Sequence, residues 1–207
     1  MPDTAADTAS PRARRAAATR ERLLAVATEL VAESGIDGFS LRELARRADY
    51  SPGALYRHFP SREAILNELG MRALTSLGEY LERVPAQLAS PERVVELGMA
   101  YLRFTQECPN DYALAFDGLT DQVPSWAAFV HVAWPFTLVV DEFARGVENG
   151  DFAERAGFGP DAMAYGMWSL ANGAAALSRR HLAGVTENLR PMQRASLACY
   201  VRGLTTR

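Results

Sequence analysis

Residues 40–67 of the chain read SLRELARRADYSPGALYRHFPSREAILN. The pattern predicts two short helices joined by about three residues, with small, aromatic and basic side chains on the outside of the second helix. A helix pair of this kind is how many proteins place one helix in the major groove of DNA. The stretch therefore predicts a helix-turn-helix and indicates DNA binding.

The first helix of the pair is bounded by residues that favour helix ends. Ser40 and Glu43 form a capping-box pattern, in which each side chain accepts a hydrogen bond from a backbone N–H group at the helix start. Apolar residues then recur at helical spacing as far as Ala48. Asp49 follows, and Asp tolerates the left-handed backbone conformation that such a corner needs.

The second helix has its own start signal. Ser51 is a predicted N-cap, and Pro52 occupies the first helical position, where a missing N–H group costs nothing. We expect this helix to reach about Phe59, ahead of Pro60. Leu55 and Phe59 lie one turn apart and are predicted to face the core. The positions left for the outer surface are Gly53, Ala54, Tyr56, Arg57 and His58.

Short helix pairs also occur in ordinary helical cores, but three features favour DNA binding here. Gly53 and Ala54 lack bulk, so the start of the helix can approach a duplex closely. Tyr56 and His58 can both reach the phosphate backbone. Phosphate or guanine contacts are predicted for the flanking arginines Arg42, Arg57 and Arg62.

Beyond these motifs, the chain from Arg20 to about Leu69 resembles the TetR family of bacterial transcriptional regulators. The most specific portion is GALYRHFPSREAIL at residues 53–66, in which the recognition helix, the Pro-Ser break and the next helix start are all in register. The family usually has Gly at the turn position that Asp49 occupies here, and we leave Asp49 out of the predicted contacts.

The resemblance implies an all-α protein with a particular domain order. A flexible, arginine-containing tail at residues 1–16 precedes a three-helix DNA-binding domain at residues 17–77. Residues 78–207 are then a helical bundle for ligand binding and dimerisation. The DNA contacts of the family fall on Ser40, Arg42, Ser51, Pro52, Gly53, Ala54, Tyr56, His58 and Arg62.

Charge is distributed unevenly along the chain. Ten arginines and six acidic residues lie between Arg12 and Arg62, a net charge of +4, whereas the chain from Met71 onward has a net charge of −3. A basic head on a weakly acidic body attracts DNA locally. The arginines of the tail are either an arm that follows the duplex or an inert leader, and both alternatives stay open.

Composition favours a cytoplasmic protein that joins the nucleoid when bound to DNA. No apolar run approaches the length of a membrane span, and no secretory signal pattern is present. Cys108 and Cys199 are far apart, and we expect them to be reduced thiols.

The sequence also argues against an enzyme. It has three histidines, His58, His131 and His181, and none stands at the spacing of a metal site. A phosphate-binding glycine loop and a nucleophile elbow are likewise missing from the sequence. We expect no catalytic residues, no metal and no cofactor.

The remainder of the chain is predicted to be helical. A first helix is expected at about 19–34, ahead of the helix-turn-helix. After the helix-turn-helix, further helices are expected at about 61–84, 90–108, 110–119, 123–147 with a kink at Pro135, 160–182 and 191–204.

The last two long helices carry apolar strips with small residues. The strips are Met163, Gly166, Met167, Leu170, Gly173, Ala174 and Leu177 on one helix, and Met192, Ala195, Ala198, Cys199 and Leu204 on the other. They are either buried inside one protomer or form a dimer interface. The resemblance favours the dimer, through a four-helix bundle. Residues 168–173 resemble the WHG type of C-terminal domain, although Asn172 replaces its His.

An aromatic-rich middle region suggests a pocket for a small, largely apolar or aromatic effector, with core packing as the alternative. The predicted lining residues are Tyr101, Phe104, Phe116, Trp126, Phe129, His131, Trp134, Tyr165, Trp168 and Asn172.

These features together predict a homodimeric repressor that an effector releases from a palindromic operator. The helix at 61–84 is the expected lever between effector and DNA. An activator of the same family and a helical interaction module without an effector are the alternatives.

Overall fold

The structure is a computed structural model that describes residues 10–116, 118, 125–185 and 187–206. Within this part of the chain the regular structure is helical, and only two isolated β-bridges occur. The helices are α1 (Pro11–Gly38), α2 (Leu41–Ala48), α3 (Pro52–Leu55), α4 (Arg62–Glu82), α5 (Ser90–Glu107), α6 (Pro109–Phe116), α7 (Trp126–Val132), α8 (Thr137–Glu148), α9 (Pro160–Arg180) and α10 (Arg190–Arg202). A short 3-10 helix, Trp134–Phe136, separates α7 from α8.

The chain divides into two compact units. The first unit comprises Met1–Met71 and Ala113–Asp121, and the second comprises Arg72–Tyr112 and Gln122–Arg207. Because the division falls inside α4, that helix begins in the first unit and continues in the second.

The first unit has an apolar core between α1 and the helix pair. From α1 the buried side chains include Leu23, Leu24 and Leu30, and they are at most 4% exposed. Gly35 interrupts the helix with φ of +72°, a left-handed conformation that favours glycine. The helix predicted to end at this glycine is interrupted there, and a short helical stretch continues to Gly38.

The start of α1 differs from the sequence prediction. The helix begins at Pro11 rather than near Thr19, because Ser10 caps it by accepting a hydrogen bond from the backbone N–H of Ala13 at 3.2 Å. Residues 11–16, assigned to the flexible tail, are thus helical, and residues 1–9 of that tail lie outside the described residues.

The second unit is built around α5, which is buried over most of its length and packs against α8, α9 and α10. The helix predicted at 123–147 is interrupted in the structure: α7 ends at Val132 and α8 begins at Thr137, with Pro135 buried in the 3-10 turn between them. The predicted break at Pro135 is thus confirmed. Its physical reason is that proline cannot donate a backbone hydrogen bond.

A buried carboxylate holds the start of α5 against α8. The side chain of Glu142 is 0% exposed and pairs with Arg93 and Arg145. Arg145 also donates to the backbone carbonyls of Ala86 and Leu88. Since a buried charge is tolerated only when it is paired, these contacts fix the segment that precedes α5.

None of the helices described combines the length and the apolar character needed to cross a membrane. Cys108 and Cys199 are free thiols.

Candidate nucleic-acid interface, polar cluster and helix groove

The predicted start and end of α2 are confirmed. The Ser40 hydroxyl accepts a hydrogen bond from the backbone N–H of Glu43 at 3.3 Å. At the other end Asp49 adopts the left-handed conformation, with φ of 59° and ψ of 47°. The following N–H of Tyr50 donates to the carbonyl of Ala45 at 2.8 Å, which closes the helix and turns the chain toward α3.

The recognition helix is shorter than predicted. Ser51 caps it as expected and accepts from the N–H of Ala54 at 3.2 Å, but regular helix ends at Leu55 instead of Phe59. The N–H groups of His58 and Phe59 both donate to the carbonyl of Leu55, at 2.9 and 3.0 Å. This shared acceptor tightens the backbone into a turn before Pro60. We call residues 52–59 the recognition segment.

Side chains of the recognition segment divide as predicted between core and surface. Leu55 is 1% exposed and Phe59 is 0% exposed, whereas Tyr56 is 54% exposed. The positions that lie at least partly open to solvent are Gly53, Ala54, Tyr56, Arg57 and His58. The segment thus presents an exposed phenol and an exposed guanidinium beside two residues without bulk.

The arginines around the helix pair differ in their partners. Arg46 pairs with Glu43, and Arg47 makes two hydrogen bonds to Glu33, at 2.7 and 2.8 Å. Hydrogen bonding to these arginines lowers the pKa of both carboxyl groups. By contrast, Arg42 and Arg57 are exposed and have no hydrogen bond or ion pair to the described residues. Their charges are therefore available to phosphate.

Arg62, a predicted DNA contact, is engaged within the protein. Its Nε donates to the carbonyl of Phe39 at 2.9 Å, and its Nη2 donates to the carbonyl of Ile36. These donors satisfy carbonyls at the end of α1 and tie them to the start of α4. In this conformation Nε and Nη2 are directed to the backbone instead of outward.

Sequence reasoning missed one residue of this region, Arg20. Its guanidinium donates to the carbonyl of His58 at 2.6 Å, pairs with Glu68 and lies 4.0 Å from the centre of the Phe59 ring. No short-range pattern identifies such a residue, because its partners lie 38 and 48 positions further along the chain.

In the second unit a polar cluster joins α5, α6 and α9. The carbonyl oxygen of Asn172 accepts hydrogen bonds from the hydroxyls of Tyr101 and Tyr112, at 3.0 and 2.9 Å. The guanidinium of Arg179 lies 4.6 Å from the centre of the Tyr112 ring. The side-chain nitrogen of Asn172 has no hydrogen-bond partner among the described residues, and it supplies two free donors.

An aromatic wall lies beside this cluster. Phe129 stacks on Trp168 with ring centres 5.1 Å apart, and Phe136 meets Trp168 edge-on at 5.4 Å. The indole of Trp168 also lies beside the phenol of Tyr101. Four predicted ligand residues, Tyr101, Phe129, Trp168 and Asn172, are thus brought together.

The other predicted ligand residues are placed differently. Phe104 is fully buried against Tyr80, and the Trp134 ring packs on Gly78, where an added Cβ would clash with it. Tyr165 is exposed, and its ring meets Trp168 edge-on with the ring centres 6.5 Å apart. The remaining three are exposed His131, Phe116 of the first unit, and Trp126, whose side chain lies outside the described residues.

Alkaline pH is expected to destabilise the second unit through two of its phenols, Tyr101 and Tyr80. Burial raises the pKa of Tyr101 well above its ordinary value of 10.0. Hydrogen bonds to Cys108 and Glu107 raise the pKa of Tyr80 to about 12. Above pH 10 the unfolded state loses protons that the folded state retains, so stability falls as pH rises. Urea unfolding across this range should show the loss, and Tyr101→Phe should flatten it. An unchanged pH profile in that variant would contradict the assignment.

A predominantly apolar groove of about 300 Å³ runs between α9 and α10. Leu177 and Met192 line it and are 51% and 68% exposed. Gln193 also lines it, and the residue is 8% exposed. The amide oxygen of Gln193 is buried without a hydrogen-bond partner in the described part of the chain.

The groove separates residues that the sequence had placed on one strip. Met163 and Met167 are at most 2% exposed and belong to the protomer core, and Gly166 packs against Tyr200. Leu170, Gly173, Ala174 and Leu177 instead line the groove. On α10, Met192, Ala195 and Cys199 are exposed and Ala198 is half-buried, while Leu204, just beyond the helix, is 7% exposed. One part of the set is therefore buried inside the protomer, and the other part lies on its surface.

Comparison with known proteins gives a family match for the N-terminal helices. The family described as bacterial regulatory proteins, tetR family, matches residues 23–69. The chain is 29% identical over 97 residues to the uncharacterised HTH-type transcriptional regulator YobS of Bacillus subtilis, a match covering 47% of this chain and 51% of YobS. It is 38% identical over 72 residues to the HTH-type transcriptional repressor KstR2 of Rhodococcus jostii, covering 34% and 35%. The chain spans about half the length of these relatives or less.

A solved structure extends the similarity of fold over nearly the whole chain. A protein of unknown function from Rhodococcus sp. RHA1 superposes with a TM-score of 0.75 at 23% identity, covering 99% of this chain and 100% of that one. This likeness concerns the fold alone. The predicted all-α fold, with an N-terminal helix-turn-helix followed by a helical C-terminal part, is confirmed.

Proposed function

Because the chain belongs to the TetR family of bacterial regulatory proteins, we propose that it is a sequence-specific DNA-binding transcriptional regulator. The observation that carries this proposal is the recognition segment. It is capped by Ser51, anchored by buried Leu55 and Phe59, and open on the side of Tyr56 and Arg57. The exposed phenol and guanidinium can both donate hydrogen bonds to the phosphate backbone of a duplex.

Each proposed duplex contact is assigned by the chemistry of its side chain. Arg42 and Arg57 have uncompensated charges and contact phosphate or guanine. Tyr56 and His58 reach the phosphate backbone, and the small residues allow close approach. The remaining contacts come from the two helix starts, at Ser40, Ser51, Pro52, Gly53 and Ala54.

We further propose that the protein is a homodimer through α9 and α10. The apolar groove leaves Leu177 and Met192 in solvent, where large apolar side chains are unfavourable, and a second copy would cover them. It also leaves the Gln193 oxygen without a donor, which a partner or a trapped water would supply. Two recognition segments one DNA turn apart then read a palindrome.

In this proposal the regulator represses by occupying its operator, and a small, largely apolar or aromatic effector releases it. The effector lies against the Phe129–Trp168 wall, where the free amide donors of Asn172 bind an acceptor on it. α4 runs through both units and is the proposed lever. The effector shifts the population only if it binds the released conformation more tightly.

Selection of bound duplexes from a random-sequence pool, followed by a gel shift at several salt concentrations, tests the proposal. A palindromic consensus bound with steep salt dependence is expected. If binding to duplex DNA does not depend on salt and no sequence is enriched over the starting pool, the proposed function is contradicted.

Replacing Tyr56 by Ala is expected to weaken binding to the selected operator by about tenfold or more, since each protomer loses one phosphate hydrogen bond. The phenol is 54% exposed, so the thermal midpoint should stay nearly unchanged. Fluorescence anisotropy and circular dichroism measure the two quantities. Normal operator affinity in this variant would remove Tyr56 from the interface.

A further inference from the structure

Arg20 connects three parts of the first unit with one side chain. It projects from α1, and its Nη1 donates to the carbonyl of His58 at 2.6 Å. Its Nη2 pairs with Glu68 on α4. Its guanidinium also covers the ring of Phe59, 4.0 Å from the ring centre. Arg20 of α1 therefore contacts the end of the recognition segment, and Glu68 of α4 holds the guanidinium in place.

The recognition segment needs such support because its own helix is so short. The four residues of α3, Pro52–Leu55, form a single turn, which is not stable by itself in water. Beyond Leu55 the backbone turns, and within the described residues no backbone N–H donates to the carbonyl of His58. The guanidinium of Arg20 supplies that donor, and a charged donor makes a stronger hydrogen bond than a neutral one.

The charge of Arg20 is also compensated, unlike the charges of Arg42 and Arg57. Glu68 lies against it, and the side chain of Arg20 is 39% exposed. Its charge is paired with Glu68 and two of its N–H groups are engaged inside the protein, so it is a weaker partner for phosphate than Arg42 or Arg57.

We propose that Arg20 is a positioning residue for DNA binding, which holds the recognition segment in place without contacting the duplex. The inference rests on the proposed function. It assigns to Arg20 the orientation of Tyr56, Arg57 and His58, through the carbonyl and ring at the end of their segment.

The slope of operator affinity against salt separates positioning from direct contact. Arg20→Ala should weaken binding to the selected operator by about tenfold or more, because the segment loses its charged hydrogen bond. The slope of log K against log salt should not change, because no phosphate contact is lost. Arg42→Ala is the matched control, an exposed and unpaired arginine of the same unit. Its slope should become shallower by about 0.9 for each phosphate contact removed.

A second variant and a second readout keep the test decisive if Arg20→Ala folds poorly. Arg20→Lys keeps the charge but lacks the planar fork, so it should recover only part of the affinity. Amide hydrogen exchange without DNA should quicken at residues 56–59 in both variants and stay unchanged in α2.

The outcomes are distinct. Weaker binding with an unchanged slope and faster exchange at residues 56–59 supports the proposal. A shallower slope in Arg20→Ala overturns it in favour of phosphate contact, and unchanged affinity and exchange overturn it outright. Should the wild type bind no duplex while exchange still quickens there, the DNA-binding function fails but the hold on the segment stands.

Discussion

Leu177→Asp is expected to dissociate the homodimer and, with it, to abolish tight operator binding. The leucine lines the α9–α10 groove and is 51% exposed in the protomer, so the protomer tolerates a charge there. In the proposed dimer the same carboxylate would be buried without a partner, at a cost of several kcal/mol. That cost raises the dimer dissociation constant by roughly 100-fold or more.

Operator binding should fall with the dimer, because a single recognition segment reads only half of a palindrome. Sedimentation velocity gives the oligomeric state, and a gel shift on the selected operator gives the affinity. Gln106→Asp is the control, since it adds the same charge at an exposed position of α5 that does not line the groove. If Leu177→Asp stays dimeric at the concentration where the control does, the interface lies elsewhere.

Phe59→Ala is expected to unfold the recognition segment and the core beneath it. The ring is 0% exposed, and truncating a fully buried phenylalanine costs about 3–5 kcal/mol. The Arg20 guanidinium also loses the surface on which it stacks. Operator binding should therefore be lost even where the rest of the chain stays folded.

The tryptophans allow the two units to be followed separately. Trp126, Trp134 and Trp168 all belong to the second unit. In Phe59→Ala, far-UV circular dichroism should show an early loss of helix in urea, while the tryptophan fluorescence transition stays near its wild-type midpoint. Phe143→Ala, which truncates an equally buried ring in the second unit, should shift the fluorescence transition instead. A fluorescence shift of the same size in both variants would contradict the expectation that each substitution destabilises only its own unit.

Features that depend on neighbouring residues followed from the sequence. Ser40, Ser51 and Asp49 act on backbone groups within a few positions of themselves, so their roles were predictable from helix-end chemistry. The break at Pro135 and the left-handed glycine at Gly35 are of the same kind. The inward faces of Leu55 and Phe59 followed from helical spacing alone.

Features that depend on residues distant in the chain were not predicted from the sequence. Arg62 is a predicted DNA contact, and the sequence did not show that its Nε and Nη2 donate to the carbonyls of Phe39 and Ile36. The strip on α9 was treated as one face, although Met163 is buried in the protomer and Leu177 is not. Helical spacing identifies an apolar strip but does not say which neighbour covers each part of it.

The sequence by itself determined that this protein is helical, where its helix-turn-helix lies and which side of the recognition segment is open. These properties arise from hydrogen bonds and side-chain periodicity over one or two turns of helix. Only the tertiary structure decided which arginines remain available to a duplex, because that depends on carboxylates and carbonyls brought close from remote parts of the chain. It likewise decided that Asn172 meets Tyr101 and Tyr112, a contact that exists only once three helices have packed together.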